Sequence, residues 1–122
     1  MRRLAGLALL LSGPAFAQAP PVADVWVARP GFELGVLDKV TARVTPLSGR
    51  VGQSVTTGTL TVSVRSCIVR GPDQPADQAA YLDITDSRDP AVAFHAWMLL
   101  SNPGLSMLEH PIYDIRLTAC RA

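Results

Sequence analysis

The stretch "TLTVSVRSCIVR", residues 59 to 70, decides the fold. Leu60, Val62 and Val64 alternate with Thr61, Ser63, Arg65 and, further on, Cys67. A period of two places the first set on one face and the second on the other, the pattern of a half-buried β-strand.

Outward from it the chain keeps the same grammar. Upstream, "TTG" at 56 to 58 and "SGRVGQ" at 48 to 53 supply turns. Before them "LDKVTARVTPL", 37 to 47, alternates Val40, Ala42 and Val44 with Lys39, Thr41, Arg43 and Thr45, so one strand is expected, ended or marked as an edge by Pro46. Downstream, "GPDQPADQ" at 71 to 78 is a surface loop. "AAYLDITD", 79 to 86, points Ala80, Leu82 and Ile84 inward and Tyr81, Asp83 and Thr85 outward. After the turn "SRDP", the run "AVAFHAWMLL", 91 to 100, is apolar on both faces, which predicts a central strand. "IYDIRLTAC", 112 to 120, alternates once more.

Between the last two strands lies "SNPGLSMLEHPIYD", 101 to 114. Ser101 or Asn102 is a good helix cap and Pro103 suits the first helical position. Leu105 and Leu108, three apart, would press one helical turn onto the core. Pro111 stops the turn and makes His110 its hinge. Six or seven short strands with turns every ten residues or so predict an all-β fold, a compact antiparallel β-sandwich or small barrel with one short helical turn and one disulfide.

The N-terminus reads differently. "MRRLAGLALLLSGPAFA", residues 1 to 17, has two arginines, an apolar run from Leu4 to Leu11 and small residues around Phe16, the layout of a cleavable signal peptide. That run is far shorter than the roughly 20 residues a membrane span needs, and no cysteine stands at the cleavage point to carry a lipid. A secreted, periplasmic protein is expected, without membrane insertion once the signal is removed. Residues 18 to 32 read as a flexible arm in which "DVWVA", 24 to 28, is either the first strand or a segment that adds to a partner's sheet; residues 33 to 122 form a single β domain.

Losing Arg2 and Arg3 from eleven basic residues leaves nine against ten acidic ones. A near-neutral surface offers no clustered positive field, which argues against nucleic acid as a partner. In an exported chain the two cysteines, Cys67 and Cys120, are read as one disulfide. By alternation both fall on the more polar face of their strands. A zinc site built from them with His95 and His110 lacks the close ligand spacing such sites use, and no metal or cofactor is assigned.

No catalytic residue is assigned either. Ser106, His110, Glu109 and Asp114 lie within ten residues, but triads are assembled from distant segments and no nucleophile-elbow glycine pattern is present. Acid pairs for glycoside hydrolysis, drawn from Asp83, Asp86, Asp89, Glu109 and Asp114, carry almost no signal in a chain with ten acids. His95 reads as a buried neutral histidine. Lys39, the only lysine, reads as coding bias. The core claims Phe94, Tyr113 and Trp97, which leaves too few rings for a sugar-stacking platform.

The segments "LDKVTARV", "LTVSVRSC", "FHAWML", "SNPGLSMLEHPIYD" and "LTAC" together resemble a family of small exported proteins of Gram-negative bacteria catalogued as a domain of unknown function. The resemblance runs from Leu37 to Cys120, and its most specific part is the LEHP-x-YD run with a cysteine beyond it. The family pattern has glycine or a small residue where this chain has Ala42 and Ala96. The resemblance implies a periplasmic location and no established activity. The resemblance further implies that such genes can lie near those for accessory subunits of respiratory NADH dehydrogenase, which would make this an attached or assembly-linked periplasmic protein. The expected function is therefore a non-enzymatic binding or accessory protein. Its partner would be another envelope protein or a membrane complex, met through Trp26 on the arm and through Ser101, Asn102, Glu109, His110, Tyr113 and Asp114 at the corner. The alternative is a cell-envelope hydrolase acting on a glycan through Glu109, His110 and Asp114.

Overall fold

A computed structural model of the chain describes residues 25–122, together with Gly6. The expected signal peptide, Gly6 apart, and the first part of the arm lie outside the described residues.

Among the described residues, eight antiparallel strands form two sheets. β5 (Leu60–Arg70) is the spine of the larger one: β6 (Gln78–Asp86) pairs along one side of it and β7 (Ala93–Leu99) pairs with β6. The other side of β5 is shared by β1 (Trp26–Ala28) and β4 (Ser54–Thr57). The smaller sheet has the order β3-β2-β8, with β2 at Gly31–Asp38, β3 at Arg43–Arg50 and β8 at Tyr113–Arg121. One 3-10 turn, Pro103–Leu105, lies between β7 and β8.

The two sheets close on a core that alternation dictates. Phe32, Leu34 and Val36 of β2 and Ile115 and Leu117 of β8 meet Leu60, Val62 and Val64 of β5, Ala80, Leu82 and Ile84 of β6 and Met98 of β7. Leu34, Leu60, Val62, Val64, Leu82 and Ile84 are wholly buried, each contributing about 1.5–3 kcal/mol relative to an exposed side chain. The fold is thus an antiparallel β-sandwich, and the faces read for β6 are the ones observed.

Several readings change or sharpen. Residues 37 to 47 are a hairpin corner, not one strand: the Asp38 carboxylate accepts the amides of Val40 and Thr41 at 2.9 and 3.2 Å, and Ala42 turns the chain with φ 59°. That local side-chain bond outcompetes the alternating pattern, and leaves Val40 and Val44 exposed. Of the two alternatives for the arm's apolar segment the first strand is observed, since β1 pairs residues 26 to 28 with Arg70, Val69 and Ile68, while Phe32, expected in the arm, is core. β2 is hidden in the sequence by Gly31 and Gly35. β7 is an edge strand, apolar on both faces for reasons other than centrality. Of the two leucines, only Leu108 reaches the core, because the 3-10 turn ends at Ser106 and leaves Leu105 exposed.

A further change concerns the cysteines. Pairing between β5 and β6 slips between Val64 and Ser66, leaving Arg65 as an extra residue, and pairing between β2 and β8 slips so that Thr118 is extra. Each bulge inverts the faces beyond it. Cys67 becomes 1% exposed, Cys120 turns inward, and the two are joined with their Cα atoms 5.5 Å apart. The bond fastens the spine of one sheet to an edge of the other.

Candidate functional site

The corner is built around His110. Proline at 111 forces His110 into extended backbone, and its ring enters a niche at the end of β6. There Nε2 lies 2.6 Å from Asp86 Oδ2, with side chains 3% and 4% exposed. Nδ1 accepts the amides of Ile112 and Tyr113 at 3.0 and 3.1 Å. A nitrogen accepting two N–H groups carries no proton, so the ring is the neutral tautomer with its hydrogen on Nε2, donated to Asp86. The His110 hydrogen bond, then the Arg88 amide and, against the cost of burial, the Thr59 hydroxyl hold the Asp86 carboxyl down to about 2.

Lys39 closes the other side, donating from Nζ to the His110 carbonyl at 2.8 Å, while its own amide bonds the Ile112 carbonyl at 2.7 Å. Tyr113 stacks at an angle on His110, ring centroids 5.2 Å apart. Its phenol covers Gly58, whose φ of +56° and lack of a side chain the contact requires. Ser101 is tied to Asp77 through its amide and its hydroxyl, at 3.0 and 2.7 Å. Burial would raise the Asp77 carboxyl, but the Ser101 hydroxyl and the Gln78 and Ser101 amides bring it below its usual range. Asn102 is exposed and its side chain caps nothing. Asp114 is nearly buried and accepts Arg116 Nε at 3.3 Å.

These bonds decide what the corner can do chemically. Both imidazole nitrogens of His110 are occupied by structural partners, and Ser106 donates its hydroxyl to the Trp97 carbonyl instead of meeting a base. Glu109 faces an open groove of about 410 Å³ lined also by Val92, Phe94, Met107 and Leu108, with Asp89 as a second acid in the lining. Trp26 is not brought to the corner. It sits in β1 at the far side of the large sheet, with the Arg70 guanidinium 5.3 Å above its ring.

A second polar cluster lies on the outer face of the large sheet. Asp83 accepts His95 Nδ1 and Arg65 Nε, each at 2.6 Å, which lowers its carboxyl. Beside it Tyr81 and Trp97 meet edge to face at 5.5 Å. His95 and Trp97 are therefore surface residues and not core, with Trp97 45% exposed. Alternation puts both opposite Met98, so a stricter reading of β7 as one-sided would have found them. The thiols of the zinc reading are consumed by the disulfide.

Comparison with known proteins agrees with the sequence resemblance. A family model described as "Uncharacterized protein conserved in bacteria (DUF2155)" matches residues 33–120. The chain belongs to this family. Uncharacterized protein RP359 of Rickettsia prowazekii (strain Madrid E) is similar, 30% identical over 87 residues, which cover 69% of this chain and 56% of that protein. The chain thus spans little over half the length of its relative. No solved structure matches it. The DUF2155 match begins in β2 and ends at Cys120, so it contains both cysteines, Lys39 and the whole corner while leaving β1 outside.

Proposed function

We propose that this DUF2155 protein is a periplasmic, non-enzymatic accessory protein that docks on a larger envelope protein or inner-membrane complex, a respiratory assembly among them. The observation that carries the reading is the division of labour at the corner. His110, Asp86, Lys39 and Tyr113 are spent on holding the backbone, whereas the neighbouring apolar side chains face solvent: Leu105 at 66%, Met107 at 52%, Trp97 at 45%, with Leu100 and Ile112 less so. Exposed apolar residues are ordinary when scattered, but a group on adjoining segments is what a partner covers. Export is supported by the leader-like N-terminus and by a buried disulfide, a bond that persists in oxidising compartments. A glycan hydrolase would need an accessible acid and base around one water, and His110 is neither accessible nor unoccupied.

The test is site-specific photocrosslinking in intact cells. A photoreactive residue at Met107 should capture one defined envelope protein, and the same residue at Gln53, in the exposed turn between β3 and β4, should not. Adducts absent from every corner position, with monomer recovered from solubilised envelopes, would overturn the proposal.

A further inference from the structure

Resting on the docking reading, the structure also indicates how a partner attaches. We propose that the free edge of β7 receives an extended segment of the partner as an added antiparallel strand, and that this segment carries an apolar side chain flanked by lysine or arginine.

The free edge can be worked out from one bond. Leu100 N donates to the Gln78 carbonyl at 2.8 Å, and these two residues stand opposite each other in the β6–β7 register. In an antiparallel ladder such pairs recur every second residue, so Phe94, Ala96 and Met98 turn their backbone groups to β6. Ala93, His95 and Trp97 turn theirs outward. The Trp97 carbonyl is already taken by Ser106, which closes the C-terminal half of the edge and leaves Ala93 and His95 as the open rungs.

Solitary sheet edges are normally protected by lysine, proline or a bulge. The outer strand β3 has Arg43, Pro46 and Arg50. Over Ala93–Leu99, β7 has no proline, no lysine, arginine or acid, and its register with β6 is unbroken. An unguarded edge is a template for strand addition.

The groove beside it specifies the addition. A strand hydrogen-bonded to Ala93 and His95 turns its alternate side chains toward Phe94, Val92, Met107 and Leu108, an apolar wall. Asp89 and Glu109 also line the groove and none of its lining residues is basic. An apolar residue between cations complements that lining. A second copy pairing through its own β7 does not, because that strand offers no lysine or arginine.

The experiment uses the full disulfide-bonded chain and two acetylated, amidated heptapeptides, Thr-Lys-Thr-Leu-Thr-Lys-Thr and the same peptide with glutamate for lysine. Saturating lysine peptide should slow hydrogen exchange at the Ala93 and His95 amides by at least about tenfold. The glutamate peptide should bind about fivefold more weakly, and Glu109→Lys should weaken the lysine peptide about threefold. Ala93→Pro removes only an outward N–H, which an edge strand tolerates, and should abolish protection at His95 while the disulfide and circular dichroism are unchanged. Should Ala93→Pro misfold, Glu109→Lys decides alone. Protection at β3 or β8 instead, no protection by either peptide, or equal binding of the two would overturn the proposal. So would a concentration-dependent dimer protected at Ala93 and His95. If Met107 crosslinks persist in Ala93→Pro at wild-type yield, docking stands and the edge assignment falls; if no corner crosslink forms at all, the docking reading has failed first.

Discussion

Replacing Cys67 and Cys120 together with alanine measures how far the inter-sheet bond supports the fold. The bond joins residues 53 apart. In the chain-entropy treatment, closing a loop of that size costs the unfolded chain about 14 cal/mol/K, or about 4 kcal/mol at 25 °C. Removing a sulfur that is 1% exposed leaves a small void worth about 1 kcal/mol more. Against a typical domain stability of about 5–15 kcal/mol, the double variant is marginal. For a domain of this length the loss corresponds to a melting temperature lower by about 15–30 °C. Urea unfolding followed by far-ultraviolet circular dichroism and tryptophan emission gives the difference, and the wild-type protein before and after reduction supplies a void-free control. Hydrogen exchange should rise first along β8, whose attachment to the large sheet the bond provides. A loss below about 1 kcal/mol, or two thiols that react with label in the native protein, would refute the reasoning.

Two further perturbations act on backbone corners. Asp86 has its folded carboxyl at about 2, below the 3.8 of an ordinary aspartate. Its contribution is therefore complete above about pH 4 and is lost as pH falls toward about 2. Asp86→Asn should be less stable than wild type at neutral pH, with the two curves converging across that window in acid-titrated urea melts; parallel curves would show that the His110 pair does not act through this charge. Ala42 holds a φ of 59° at the tip of the β2–β3 hairpin, where a Cβ costs about 1 kcal/mol. Ala42→Gly should accordingly raise stability by up to about 1 kcal/mol in urea melts, and a loss would mean the turn is held by other contacts.

The layers of the fold are legible wherever one residue in two is aliphatic and no local bond competes. Leu60, Val62 and Val64, and Ala80, Leu82 and Ile84, declare their faces outright. Legibility fails where one residue changes the count. Arg65 and Thr118 give no sign in the sequence that they stand outside the ladder, so the cysteines are misplaced until pairing is known. Asp38 acts on amides two and three residues ahead, which converts an apparent strand into a bend. The corner was recognisable from Pro103 and Pro111, but its anchor was not. Asp86 lies 24 residues before His110, and only the folded sheet sets them side by side. Lys39 gives no sign of its role in the sequence because its ammonium bonds a carbonyl 71 residues away.

The paired slips at Arg65 and Thr118 make the disulfide depend on chain length as well as on sulfur. Deleting either residue would keep every hydrophobic amino acid and both cysteines, yet regularising the strand would swing one sulfur to the opposite side of its sheet. The joint can thus be broken by the loss of a single codon for a residue that is neither cysteine. A redesign that straightened the strands toward ideal geometry would dismantle it in the same way.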